Sequence, residues 1–235
     1  MSEAAARRER VDSCTLSFIA GFVDTCVFVG LFGLFTAHVT GNLVLIGAAL
    51  VQRESDVLAK LLALPVFVLA VAVAVRAADA LRRSGRGRVA PLLCAQAVLL
   101  LLAVATIEAK APPMQADEPL AVLAGMFAAA AMALQNALMR LEFASLPSST
   151  VMTVNVTQVA IDATILAGRA GAPGEEARRA ETHRRFARMW PPILAFTLGA
   201  ACGAAGYAWT GLASLALPAA LCFVLALRFG RRAEQ

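Results

Sequence analysis

Asp24, His38, Gln135, Asn136 and Asp162 are embedded in stretches otherwise built from Ala, Val, Leu, Ile and Phe. Ionisable groups in such surroundings face a protein interior or a water-filled cavity, because lipid offers them no partner. Asp24 and Asp162 could each carry a proton across a low-dielectric region. Asp24 has an equally physical structural use, since a short carboxylate accepts hydrogen bonds from the unpaired amides at a helix start. Asp162 lies nearer the end of its apolar stretch, where simple solvation stands beside a functional role. His38 could shuttle protons or serve as a hydrogen-bonded structural residue. Gln135 and Asn136 could line a cavity or join helices through their amides.

Thr40, Gly41 and Asn42 form a compact polar step inside an apolar run. Thr and Asn can bond unwound backbone, Gly permits unusual dihedrals, and a helix beginning at Leu43 would present free amides. Thr153, Asn155 and Thr157 offer the same chemistry later in the chain. Irregular backbone at membrane depth survives only when buried in protein or facing a cavity. The expectation is therefore that Thr40, Gly41, Asn42, Thr153 and Asn155 surround one polar cavity where two short segments pack together. Helix N-termini meeting there favour an anionic or acceptor-rich solute, with Asp24 offsetting part of that field. Enzyme signatures such as HExxH, GxSxG, Walker A and the dinucleotide fingerprint do not occur. Two distant histidines and five cysteines without a CxxC suggest neither a metal nor a cofactor.

The elements that must position these residues follow from composition. The 235 residues are 60% hydrophobic and 16% charged, against about 25% charge in soluble domains. That excludes a disordered or disulfide-stapled chain and points to an all-α, polytopic membrane protein. Six stretches are long enough to cross: Val11–Leu34, Val57–Ala78, Val89–Ile107, Leu120–Leu141, Pro191–Trp209 and Leu212–Phe229. Thr36–Val51 and Thr150–Ala167 are shorter, and read as re-entrant or half-helical pieces. With six spans, 18 of the 21 Lys and Arg fall on one side, together with both termini. The positive-inside rule makes that side cytoplasmic. The net charge of +5 is thus a matter of topology and implies no nucleic-acid partner. Ala195, Gly199 and Gly203, with Gly206 following, form a small-residue stripe suited to close helix packing. The loop from Gly168 to Trp190 reads as exposed helix, with anionic lipid as a further contact.

The halves 11–107 and 120–229 also resemble each other. Gly21–Phe22–Val23–Asp24 can be laid over Ala133–Leu134–Gln135–Asn136, and Thr36 with Thr40–Gly41–Asn42 over Thr150 with Thr153–Val154–Asn155, with one gap. Three spans per half would make the repeat an inverted one in a single membrane domain.

Gly21 and Asp24, followed by Phe35, Thr40, Gly41 and Asn42, and then by the later LQNALMR run, resemble the YoaK family of uncharacterised bacterial inner-membrane proteins. Where that family usually has Thr-Gly, this chain has Thr153–Val154, and Ala133 replaces a usual Gly. The resemblance implies a six-span protein of the bacterial inner membrane and supplies no reaction. The expected function is a secondary permease for a small polar or anionic solute, proton-linked through Asp24. A passive channel and a non-transport membrane protein, either lipid-modifying or assembling, are the alternatives. The expected partners are the lipid bilayer and the solute.

Overall fold

The computed structural model describes residues 3–52, 57–109, 115–168 and 175–233. These form eight α-helices: α1 (Glu3–Gly30), α2 (Val39–Gln52), α3 (Leu58–Arg83), α4 (Val89–Glu108), α5 (Pro119–Leu141), α6 (Met152–Ala167), α7 (Glu175–Thr210) and α8 (Ala216–Ala233). A 3-10 turn, Gly211–Leu215, joins α7 to α8. The described residues contain no strand. Chains this apolar must satisfy their backbone polar groups internally, and helices do so within one segment.

The ends of the helices are set by identifiable residues. Phe32 (φ 54°) and Gly33 (φ 80°) take left-handed backbone after α1 and turn the chain back on itself. Gly85 (φ 69°) does the same after α3, and Gly211 (φ 62°) separates α7 from α8. Pro119 opens α5, where a missing amide is harmless.

Ion pairs fix which helix ends share a face. Asp12 at the start of α1 meets Arg228 near the end of α8 at 3.5 Å, and Glu9 meets Arg188 of α7 at 3.8 Å. Arg88, just before α4, meets Glu142, just after α5, at 2.8 Å. One cavity is walled by Arg88, Glu142 and Phe229 together, which places the α3–α4 turn beside the end of α8. All these arginine-rich ends therefore lie on one face. The Leu58 amide donates to Asp117 at 3.2 Å, putting the start of α3 at the opposite face beside the start of α5.

These contacts settle the path of the short helices. α1 ends at the opposite face and α3 begins there, so α2 makes no net crossing. α5 ends at the arginine-rich face and α7 begins there, so α6 makes none either. At 1.5 Å per residue the 14 residues of α2 and the 16 of α6 reach about 21 and 24 Å, short of a core about 30 Å thick. Six long helices traverse the bundle, α1, α4 and α7 in one direction and α3, α5 and α8 in the other.

The main packing partners are α1 with α7, α4 with α5 and α8, and α3 with α5. α1 and α7 run parallel and very close. A Cβ on Gly199 would collide with the Phe18 carbonyl, one on Gly203 with the Phe22 carbonyl, and one on Gly21 with the Phe196 carbonyl. The small-residue stripe does what its spacing suggests.

Three expectations need correction. The helix that carries the fifth span does not begin at Pro191: α7 is helical from Glu175, and both prolines lie inside it. Its 36 residues measure about 54 Å, so its first four turns extend beyond an apolar core. There, water and neighbouring Arg side chains can reach the carbonyls that Pro191 and Pro192 leave unpaired. α2 begins at Val39 rather than Leu43, because the break falls earlier, at Phe32–Gly33. The two short helices do not pack chiefly on each other; α2 lies on α3 and α6 on α7. Of the Gly168–Trp190 loop, residues 169–174 lie outside the described residues.

Candidate functional site: a hydrogen-bonded polar core

The left-handed turn at Phe32–Gly33 brings residues 34–38 back alongside α1. Six residues before the end of α1, Asp24 receives them. Its Oδ1 accepts from the Thr36 amide at 2.7 Å, the Ala37 amide at 2.8 Å and the Thr36 hydroxyl at 3.1 Å. Its Oδ2 lies 2.6 Å from His38 Nδ1. The amides so held belong to the link that enters α2, so Asp24 has the structural use expected of a short carboxylate. Asn42, fully buried, locks the same link from the other side. Its Oδ1 accepts from the Phe35 amide and its Nδ2 donates to the Phe35 carbonyl, both at 2.9 Å.

The second half repeats this arrangement. Asn136, on α5, accepts from the Thr150 hydroxyl at 2.6 Å. Asn155, on α6, donates to the Ser148 carbonyl at 2.7 Å. Asn42 and Asn155 each reach back seven residues, to Phe35 and to Ser148. Asp24 and Asn136 each bind the threonine of the link that follows, Thr36 or Thr150. In both halves a polar residue on a long helix and an asparagine on the next short helix bracket the break between them.

The two brackets touch. The His38 ring, paired with Asp24, also lies against the backbone of Thr150, whose hydroxyl is held by Asn136. A polar chain Asp24–His38–Thr150–Asn136 thus joins the halves. Asp24 and Thr150 are buried and Asn136 partly so, whereas the His38 side chain is 37% exposed against 6% for Asp24. His38 sits between the rings of Phe35, 6.2 Å away, and Phe196, 5.8 Å away. The pair is therefore reachable at its histidine end only.

Other residues singled out from sequence have different surroundings. Gln135 Nε2 donates to the Leu16 carbonyl at 2.8 Å and to the Ser149 hydroxyl at 2.9 Å, and its Oε1 accepts from Gln96 at 2.7 Å. It ties α1, α4, α5 and the second break together. Asp162 is fully buried on α6; it receives Gln158 at 2.8 Å and Arg185 Nε at 2.9 Å. The Arg185 guanidinium holds the Asp162 carboxyl below the usual carboxylate range, against the opposing effect of burial. Arg179 donates to the carbonyls of Ile165, Leu166 and Gly168, closing the end of α6.

The single cavity expected around Thr40, Gly41, Asn42, Thr153 and Asn155 is not formed. Thr40 and Thr153 are exposed, and both asparagines are turned onto their own links. Gly41 is needed for space rather than for dihedral freedom, since a Cβ there would press on the Phe35 ring at 2.9 Å. Sequence reasoning gave too little weight to His38, matched Thr36 with Thr150 without giving either a role, and missed Arg185. For Arg185 a signal existed, because a carboxylate in an apolar run demands a counterion. For Thr36 and Thr150 the signal was their place just before each short helix.

Over residues 13–228 the sequence matches the family described as a protein of unknown function, DUF1275. The chain belongs to this family. No curated protein and no solved structure matches it. The matched span contains both brackets entire, so the polar core lies wholly inside the DUF1275 region.

Proposed function

We propose that the chain is a six-crossing secondary permease for a small polar or anionic solute, linked to proton movement through the Asp24–His38 pair. The observation that carries this reading is the junction of two matching brackets at His38 and Thr150. Six alternating long helices with α1 and α5 oppositely directed fit an inverted repeat, whose pseudo-twofold axis would pass near that junction. Transporters of this kind rock one half against the other, and a polar junction between them is where such motion is latched. The motif resembling the YoaK family supports the same six-crossing reading. By the positive-inside rule the arginine-rich face is cytoplasmic, with both termini on that side of a bacterial inner membrane.

The proton role moves from Asp24 alone to the pair. Asp24 is committed to two backbone amides, whereas the exposed edge of His38 can exchange a proton and pass the change to the adjoining Thr150 backbone. A protonated imidazole cannot accept, and a neutral one can donate on one nitrogen only. The charge state of the pair therefore sets how many hydrogen bonds His38 can donate at the junction.

Comparing metabolite accumulation between deletion and overexpression strains identifies the solute, and sealed vesicles then classify the protein. Accumulation against a gradient of that solute supports the permease, and dissipative flux supports a channel. No solute-dependent flux across a broad panel overturns both and leaves a non-transport role.

A further inference from the structure

At the arginine-rich face two cavities of about 440 and 230 Å³ share the walls Leu146, Pro147, Arg184 and Arg188. They lie between the start of α1, the segment after α5 and the basic arm of α7. We infer that the smaller of them is a binding site for a phosphate-type oxyanion, held by Arg10, Arg188 and the Ser13 hydroxyl.

The charges leave a gap for such a ligand. Of the arginines in the two walls, Arg185 is committed to Asp162 and Arg184 to Glu181 at 2.7 Å. Among the described residues Arg188 has only Glu9, at 3.8 Å. Arg10 is exposed and enters no ion pair among the described residues. Two guanidinium groups thus face one loosely placed carboxylate, an excess of one positive charge beside an apolar floor. Guanidinium forks match phosphate oxygens in pairs, which a water-filled surface cluster does not require.

An independent observation points the same way. Ser13 lines the smaller cavity, is 2% exposed, and its hydroxyl has no hydrogen-bond partner among the described residues. Buried hydroxyls are ordinarily satisfied, and one left open at a cavity wall implies a ligand or ordered water there. A hydroxyl donor below two guanidinium groups suits a tetrahedral oxyanion. Such chemistry is offered by the headgroup of an anionic phospholipid, which Trp190 two residues beyond Arg188 would place at headgroup level, and also by a soluble phosphate ester. The site does not depend on the chain being a permease.

Thermal unfolding of the purified full chain tests it, with sodium phosphate titrated at constant ionic strength. In parallel the protein is placed in nanodiscs of phosphatidylcholine with increasing phosphatidylglycerol. A saturable stabilisation by phosphate assigns the site to a soluble ligand, and one by phosphatidylglycerol alone assigns it to the lipid headgroup. In either arm Arg188→Gln should weaken the response at least about tenfold, while Glu9→Gln should strengthen it by removing the competing carboxylate. Ser13→Ala should weaken it about threefold and carries the test should Arg188→Gln fail to fold. Arg231→Gln, on the same face but outside the cavity, should leave it unchanged. No saturable response in either arm, or equal losses from Arg188→Gln and Arg231→Gln, would overturn the assignment.

Discussion

At Asp24 the structure gives one carboxylate two tasks, and substitution separates them. Asp24→Ala leaves the buried amides of Thr36 and Ala37 without an acceptor, which should lower stability by roughly 2–3 kcal/mol. Asp24→Asn keeps an acceptor for those amides and loses only the charged partnership with His38, so its loss should be about 1 kcal/mol. Thermal or denaturant melts of the two variants in detergent check the order; equal losses would contradict the bracket. Arg185 and Asp162 make a second case. Arg185→Gln strands a buried carboxylate and should cost about 2 kcal/mol, less than a fully buried pair would because Arg185 is 41% exposed. Adding Asp162→Asn should recover much of that loss, whereas an additive double variant would mean the pair contributes nothing. Asp24 and Asp162 could be found in the sequence because charge in an apolar run is conspicuous. Their partners could not, since a hydrogen bond between residues 12 or 23 positions apart leaves no periodic mark.

Among the elements, the contact between α1 and α7 depends on glycines that let two backbones meet. Gly203→Val would drive two methyl groups into the Phe22 carbonyl and should destabilise by about 1–3 kcal/mol. Gly47→Ala, where a Cβ meets nothing within 4 Å, should be neutral. A monodispersity and melting comparison of the two decides it, and equal tolerance would contradict the parallel packing. The lengths of α3, α4 and α5 were legible to within a few residues, because long apolar runs have only one way to satisfy their backbone in lipid. The start of α7 was not. Pro191 and Pro192 usually open a helix, but here the Glu175–Met189 arm is held to α6 and the start of α1 by Arg179, Arg185 and Arg188. The break after α1 was placed too late because Thr40–Gly41–Asn42 looks more like a turn than Phe32–Gly33 does. In fact the asparagine reaches back from inside the helix to hold the turn.

For the whole molecule, six alternating helices place the α3–α4 turn, the start of α1 and the end of α8 on one face. Ser84→Cys in a background without native cysteines should label only after the cytoplasmic side is opened, and labelling from outside intact cells would reverse the orientation. The central claim is that the two halves are latched through a proton-bearing pair. Its most direct measurement is solute-dependent proton flux into sealed vesicles carrying an internal pH dye, with an imposed proton gradient and the solute identified by the accumulation comparison. Wild-type protein should acidify the lumen only when solute is present. His38→Gln, which retains a hydrogen-bonding side chain but has no ionisable group, should abolish that coupling while folding normally. Undiminished, solute-dependent proton flux through a well-folded His38→Gln protein would contradict the account.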